Sequence, residues 1–298
     1  MRLLVVGING LLGSNVVHSG MQRGWTLCGT YHSQRPDFDI PMTSLDLRSP
    51  DTFSEVLAEY DPDVAVNCAG MTDVDGCESN SVRAHSLNAE APQKLATDCR
   101  KSDVEFVHIS TDYVFDGTTR EPYQESDCPN PKQVYGESKL AGEKGVTTAL
   151  PTALVVRLAF VWGIHRNEEE LTGFPAWVRD RLWKNTSVPL FTDQWVTPTR
   201  AGQAAETILD LIERGCSELV HVASSSCVTP YEFGQLIASH LNEGEELLTK
   251  QPMHSVERAA TRPEHSCLDV RNVESLLGRS QPTVDDDLEA VRLSSDHI

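Results

Sequence analysis

No stretch of the sequence approaches the ~20 uninterrupted apolar residues that cross a bilayer. Hydrophobic residues make up 39% of the 298. That excludes a chain built around membrane helices. The start, Met-Arg-Leu-Leu-Val-Val-Gly, runs into a glycine loop and not into a small-residue cleavage site. No signal peptide is read from it, and a soluble, cytoplasmic protein is expected. Positive charge is scarce: 25 Lys and Arg stand against 44 Asp and Glu, for a net charge of −19. Such a surface repels nucleic acid and anionic membrane, so neither is expected as a partner. The cations are mostly arginine, which makes any lysine noticeable. An acidic, lysine-poor surface suits salty cytoplasm, where screening removes most self-repulsion. A halophilic enzyme is therefore expected over a merely acidic one. The eight cysteines include no Cys-x-x-Cys and none beside a histidine at metal-ligand spacing. They are expected to be small buried hydrophobes with no disulfide, metal or nucleophilic role.

What is there is a regular alternation. Apolar runs at Leu3–Val6, Trp25–Thr30, Val64–Asn67, Val104–Ser110 and Thr152–Leu158 read as buried strands. Between them, Leu11 to Gln22 and Ser79 to Arg100 have helical spacing, and Ser49-Pro50-Asp51 opens a helix that runs to about Tyr60. Strands alternating with helices predict an α/β fold with a doubly wound parallel sheet. The second half changes character. Helices are expected over Gly173–Lys184, Arg200–Glu213 and from Thr229-Pro230 to Leu241, with short strands at Val188–Phe191 and Leu219–Val222. The tail from Gln281 is acidic and predicts a surface helix with a frayed end. The expected organisation is a nucleotide-binding domain over 1–160 and a smaller α/β substrate lobe over 161–298, interleaved into one unit.

Gly7-Ile8-Asn9-Gly10-Leu11-Leu12-Gly13 follows a strand and opens a helix. Glycines there allow a tight turn and close backbone approach, and the helix N-terminus offers free N–H groups to a pyrophosphate. This context makes the loop, through Asn9, Leu11 and Leu12, a dinucleotide cradle of Rossmann type. An NAD-specific enzyme usually carries a carboxylate after the second strand. Here the sequence is Thr30-Tyr31-His32-Ser33-Gln34-Arg35, without one. Ser33 and Arg35, with His32 beside them, could hold a 2′-phosphate, so NADPH is expected over NADH, which stays open. Asp46 and Leu47 stand where the adenine would lie. Cys68, Ala69 and Gly70 let backbone approach the ribose and phosphates.

The fourth strand ends in Ser110-Thr111-Asp112-Tyr113, where an open parallel sheet presents its ligands. Tyr135-Gly136-Glu137-Ser138-Lys139 follows at a helix start. Residues at i and i+4 share a face, so Tyr135 and Lys139 can point at one place. A phenol of pKa ~10 is a poor catalyst at neutral pH; a nearby ammonium is expected to lower it. The same ammonium can hold the nicotinamide ribose. Thr111 is expected to bind a substrate carbonyl beside Tyr135, which gives the proton as the cofactor gives hydride.

These segments together resemble the extended short-chain dehydrogenase/reductases, specifically the dTDP-4-dehydrorhamnose reductase family. The resemblance rests on the glycine loop, Pro62 to Asp75, Ser110 to Gly117, Tyr135 to Glu143, Arg157 to Gly163, Thr197-Pro198-Thr199 and Arg262 to Asp269. It implies reduction of the 4-keto group of a nucleotide-activated 6-deoxyhexose, with dTDP-L-rhamnose as the family's central product and glycan assembly as the setting. The family's catalytic residues fall on Thr111, Tyr135 and Lys139. The implied substrate contacts are Thr72, Asp73, Asp112, Phe160 and Arg262; the last could equally form only a local salt bridge. Asn88 resembles a residue that shapes the cofactor site, or it stabilises a local bend. A homodimer is compatible with the resemblance.

Three departures narrow it. Phe160 stands where the family often has Trp, which keeps an aromatic face and loosens the sugar's identity. Asn15 replaces a glutamate that some bacterial members use for a Mg²⁺-bridged dimer, so no metal is expected. The stretch from His165 to Thr172, with Glu168-Glu169-Glu170, predicts an acidic loop near the substrate side, solvated in preference to a lid. Two alternatives remain open: an epimerase or dehydratase of the same fold, and a non-catalytic subunit like the relative that binds methionine adenosyltransferase. Thr111 is followed by Asp112-Tyr113, not by the Asp-Glu pair of a dehydratase. The intact Thr111, Tyr135 and Lys139 set argues against lost catalysis.

Overall fold

The computed structural model describes residues 1–49, 52–242, 244–291 and 293. The first half runs β1 (Arg2–Val6), α1 (Leu11–Gln22), β2 (Thr26–Tyr31), β3 (Met42–Ser44), α2 (Phe53–Tyr60), β4 (Val64–Asn67), α3 (Val74–Ser79), α4 (Ser81–His85), α5 (Ala91–Lys101), β5 (Glu105–Thr111), α6 (Val134–Ala149) and β6 (Leu154–Leu158). The second half adds β7 (Val161–His165), β8 (Glu170–Thr172), α7 (Phe174–Trp183), β9 (Val188–Phe191), β10 (Thr199–Arg200), α8 (Ala201–Glu213), β11 (Leu219–His221), α9 (Pro230–Leu241), β12 (Leu248–Gln251), α10 (Arg271–Leu277) and α11 (Val284–Val291).

Seven parallel strands form the main sheet in the order β11-β6-β5-β4-β1-β2-β3. The chain winds outward from β1 to β3, then returns to β4 and winds the other way. The crevice at that reversal, beyond the carboxyl ends of β1 and β4, is where such sheets bind ligands. Every residue of β4 and β6 is buried, because helices cover both faces. Alternate residues feed two cores: Leu3, Val5, Val64 and Val66 on one face, Leu4, Val6 and Ala65 on the other. A third core, with Trp162, Leu190, Phe233 and Leu288, is built by the second half of the chain. That half also joins the first core, since β11 pairs with β6 and α8 and α10 pack there.

Four expectations need correction. The single helix expected over 79–100 is broken. Asn80 leaves helical geometry (φ −137°, ψ 54°), and residues 86–90 form a π-helical turn before α5, which has a proline in its first turn. The 165–172 stretch is not a free loop at the substrate side: β8 pairs antiparallel with β7, and the hairpin leans on the glycine loop. Only Glu168, Glu169 and Glu170 at its tip are exposed. Cys227 and Cys267 are disulfide-bonded, 40 residues apart. Bridges from Trp195 to His265 and from Val196 to Val228 bring their two segments together, a register no cysteine spacing reveals. The acidic tail helix, α11, is anchored: Leu288 is fully buried and Asp287 meets Arg200 Nε at 2.7 Å. The helix start at Pro50 and Asp51, and the end of the tail beyond 293, lie outside the described residues; α2 begins at Phe53.

Candidate active site

The glycine loop forms as a turn between β1 and α1. Gly7 is left-handed (φ +86°), and a Cβ there would lie 2.7 Å from the Cβ of Ala69. Only glycine lets β1 and β4 end this close together. Gly10 is the N-cap of α1 and supplies no side-chain cap, so the first-turn N–H groups have no side-chain acceptor. Beside this turn opens a cavity of about 210 Å³ lined by Gly7, His32, Asp46, Leu47, Ala69 and Gly70 among others; Asn9, Gly10, Leu11, Leu12 and Gly13 lie outside its lining. A dinucleotide fits this site: a backbone cradle at a helix N-terminus, with small residues where the chain must come near it. Asn9 supports the loop from outside, its Nδ2 donating to the Gln34 carbonyl at 2.6 Å. The hairpin closes behind it: Asn9 O lies 2.8 Å from His165 Nε2, Arg166 N donates to Ser14 Oγ, and Asn167 Oδ1 accepts from Asp37 N at 2.7 Å. Leu12 is buried in the core beneath.

At the far end of this cavity the expectation shifts. Ser33 and Arg35 are exposed and lie outside its lining, whereas His32, Arg48 and Arg83 line it. Asp46 is gripped by Arg48 through Nε at 2.9 Å and Nη2 at 2.6 Å. That pairing, first, holds the Asp46 carboxyl well below its usual range. Arg48 follows Asp46-Leu47 directly in sequence, a signal within reach of the residues alone. Arg83 is brought in from α4, which the unbroken-helix expectation hid.

Asn88 ties the floor together. The π turn points its fully buried amide inward, where Oδ1 accepts from Met71 N at 2.7 Å. Its Nδ2 donates to Met71 O at 2.9 Å and to Ser138 Oγ at 3.0 Å. Gly70 is thereby pressed against it: a Cβ on Gly70 would lie 2.8 Å from Asn88 Oδ1 and 3.9 Å from Lys139 Nζ. Cys68 beside it has its thiol pushed up to about 12 by burial, which leaves it unreactive.

The three residues expected to be catalytic sit at the end of β5 and along one face of α6. Helix α6 carries Tyr135, Lys139 and Glu143 on one face, and Glu78 from α3 accepts from Val134 N at 2.9 Å at its start. Thr111 ends β5; its Oγ1 accepts from Tyr113 N at 3.2 Å and lies 3.0 Å from Asp112 Oδ1. Lys139 is buried and donates to the Ile109 carbonyl at 2.5 Å. Burial lowers it to about 8, against the opposing pull of Glu143. The phenol behaves contrary to expectation. Burial raises Tyr135 above its ordinary value, a hydrogen bond to Thr111 opposes this, and Lys139 is not among the groups acting on it. The ammonium is directed at a carbonyl, so it does not offset desolvation of the phenolate. Tyr135 is thus held protonated, the state a proton donor needs.

On the other side lies a cavity of about 450 Å³ lined by Tyr113, Phe160, Phe174, Trp177, Phe191, Arg258 and Arg262 among others. Phe160 adopts φ +45° and packs on Phe174 at 5.5 Å between ring centroids. Tyr113, in this lining, meets Tyr135 edge to face at 6.0 Å, while Tyr135 and Lys139 themselves lie outside both linings. Arg262 lines the cavity but is held by Asp75 through Nη1 at 3.1 Å and Nη2 at 2.8 Å. Arg258 lies over Phe191 at 4.8 Å from the ring. Sequence patterns pointed to neither Arg258 nor the Tyr113, Phe174 and Trp177 wall, because distant segments assemble it. Thr72 and Asp73 line neither cavity; Asp73 caps α3, accepting from Gly76 N at 2.9 Å.

Comparison with known proteins agrees with this architecture. The family model described as RmlD substrate binding domain matches residues 1–294. The probable low-salt glycan biosynthesis reductase Agl14 of Haloferax volcanii is 48% identical over 98% of this chain and 97% of its own. The dTDP-4-dehydrorhamnose reductase of Mycobacterium tuberculosis is 33% identical, over 91% of this chain and 85% of its own. The solved dTDP-4-dehydrorhamnose reductase of Bacillus anthracis, in complex with NADP, superposes with a TM-score of 0.85 at 25% identity, covering 99% of both chains.

Proposed function

The chain belongs to the dTDP-4-dehydrorhamnose reductase family of NAD(P)H-dependent oxidoreductases, and from that premise we propose that it reduces the 4-keto group of a nucleotide-activated 6-deoxyhexose with NADPH, for glycan assembly. The observation that carries this is the place of the catalytic set. Lys139 stands behind Gly70, which lines the glycine-loop cavity, and Tyr135 packs on Tyr113, which lines the aromatic cavity. A cofactor in one and a sugar in the other would meet across these two side chains. The bound nicotinamide supplies hydride. Lys139 orients the ribose, Tyr135 delivers a proton to the carbonyl oxygen, and Thr111 holds that oxygen in place.

The apolar walls at Phe160, Phe174 and Trp177 suit a deoxysugar face and exclude water from the hydride path. The central expectation is dTDP-4-dehydrorhamnose. The Haloferax relative, named for low-salt glycan biosynthesis, and the net charge of −19 support a haloarchaeal glycan setting. The test is NADPH consumption by the purified protein with a dTDP-4-keto-6-deoxyhexose, with product identification. Tyr135→Phe should remove most turnover while the fold stays intact. No oxidation of NADPH with any nucleotide 4-keto sugar would overturn the proposal in favour of a binding role.

A further inference from the structure

The hydroxyl of Thr111 has one proton and two lone pairs. One lone pair is taken by Tyr113 N–H at 3.2 Å, and Asp112 Oδ1 stands 3.0 Å away. An ionised Asp112 can only accept, so it would hold the single Thr111 proton. A substrate carbonyl oxygen also only accepts, and Thr111 would then have nothing to offer it. A neutral Asp112 reverses the arrangement. Its acid proton goes to the second lone pair of Thr111, and the hydroxyl proton is released from Asp112 to point toward Tyr135, with which Thr111 is hydrogen-bonded, and the oxygen bound beside it.

We propose that Asp112 is a positioning residue that works as a neutral carboxylic acid, donating to Thr111 Oγ1 so that the Thr111 hydroxyl points at the substrate carbonyl oxygen beside Tyr135. No bond is made or broken at Asp112; the proton that enters the product comes from Tyr135. This rests on the reductase reading for the identity of the carbonyl, and on local geometry for the state of Asp112.

The surroundings favour the acid form. Asp112 is 3% exposed, and burial raises it to about 7, with Ser266 and Thr111 opposing. Its Oδ2 makes no hydrogen bond of normal geometry, and the fully buried Ser266 hydroxyl is the side chain that acts on the carboxyl from outside its own turn. Burial is the largest influence on Asp112, opposed by hydrogen bonds from Ser266, Thr111 and the backbone N–H groups of Asp112 and Tyr113. The titratable neighbours are Tyr113 on its own turn and Tyr135 from α6, both of which Asp112 pushes up. Arg258 and Arg262 act on Tyr113, and Arg262 is paired with Asp75. Lys139 acts on Cys68, Cys77 and the buried, neutral His108.

The experiment has two arms. Infrared difference spectra of the protein without substrate should contain a carboxylic-acid band that fades as pH rises through about 7 and is missing from Asp112→Asn. In the keto-sugar reduction assay, wild-type kcat should fall along the same limb. Asp112→Asn, whose amide still donates to Thr111, should lose that limb and turn over faster than Asp112→Ala. Asp112→Ala should lose on the order of tenfold or more, the loss of one oriented donor. Ser266→Ala removes a hydroxyl that favours the ionised form, so its limb should move to higher pH. Absence of the acid band above about pH 5, where an ordinary carboxyl has ionised, overturns the proposal. So does a wild-type limb retained in Asp112→Asn or unmoved in Ser266→Ala. The infrared arm decides even if no nucleotide sugar is turned over, which would refute the reductase reading separately.

Discussion

Glu143 and Arg157 form a forked ion pair in the interior, with Nη2 to Oε2 at 2.7 Å and Nε to Oε1 at 2.9 Å, and Ser110 donates to the same Glu143 oxygen. Arg157 also lies over the ring of Phe115 at 5.0 Å. The pair ties α6 to β6 just behind the catalytic lysine. Its side chains are 8% and 2% exposed, so removing one partner strands a charge away from water. Arg157→Ala should therefore cost about 3–5 kcal/mol, measured as a drop in the urea midpoint. A paired replacement of both by apolar residues should recover most of that loss, because no charge is left unpaired. A loss under about 1 kcal/mol for Arg157→Ala would show that the interior is wetter than this geometry implies.

Lys139 connects that pair to function. Its folded value of about 8 lies below the ordinary 10.5 because burial disfavours the ammonium. Between those values the unfolded chain binds the extra proton, so stability from this group rises with pH across about 8 to 10.5 and its cost is complete below 8. Cofactor affinity should move the other way. The ammonium that would hold the ribose is lost as pH rises through about 8. NADPH binding, followed by fluorescence, should weaken along that limb. Glu143 raises Lys139, so Glu143→Gln should shift the limb to lower pH. An affinity flat from pH 7 to 10 would refute the assigned role.

The disulfide between Cys227 and Cys267 joins the approach to α9 to the segment that carries Arg262 and Ser266. That segment is also threaded by backbone bonds: Trp195 N donates to Glu264 O at 2.6 Å, and Ser266 N donates to Trp195 O at 2.9 Å. Closing a loop of 40 residues stabilises a fold by about 2–4 kcal/mol, chiefly by restricting the unfolded chain. Cys267→Ser should lower the melting temperature and raise KM for the nucleotide sugar, because the second cavity loses a brace. NADPH affinity should stay unchanged, since the glycine loop is built from other strands. A non-reducing peptide map that finds both thiols free would remove the basis for this.

What was legible in the sequence was local. The glycine loop lies between a strand and a helix within a few residues, and the Tyr135 and Lys139 stripe repeats with the helix turn. Periodicity captured β4, β9 and α1 to the residue at both ends. The losses came where long-range register decides. The bridge between Trp195 and His265 links segments 70 residues apart, and with it come the disulfide and the arginine-lined wall. The π turn is held by the bonds of Asn88 to Met71 and Ser138, and the break at Asn80 falls eight residues earlier, where Asn80 Nδ2 turns back to the Gly76 carbonyl. Nothing in the apolar spacing of that stretch records them. The raised Tyr135 was missed for a related reason. The expectation weighed Lys139 as a charge and left out burial, which dominates.

The choice of cofactor gives the sharpest contrast between sequence and structure. Sequence alone nominates Ser33 and Arg35 for a 2′-phosphate, whereas His32, Arg48 and Arg83 are the basic side chains that line the glycine-loop cavity. Arg48 is already paired with Asp46, bidentate and rigid, which fixes its direction at some cost in free charge. Arg83 is exposed on α4, and can swing toward a phosphate. Each charge-assisted contact of this kind contributes about 1.5–3 kcal/mol. Arg83→Ala should then raise KM for NADPH by roughly tenfold or more, the equivalent of about 1.4 kcal/mol, and leave NADH kinetics nearly unchanged. Arg48→Ala should weaken both cofactors, because Asp46 loses the partner that orients it toward the adenine. Arg35→Ala should do little to either. Steady-state kinetics with both cofactors on the three variants would decide the matter. A selective loss of NADPH in Arg35→Ala alone would restore the nomination made from the sequence.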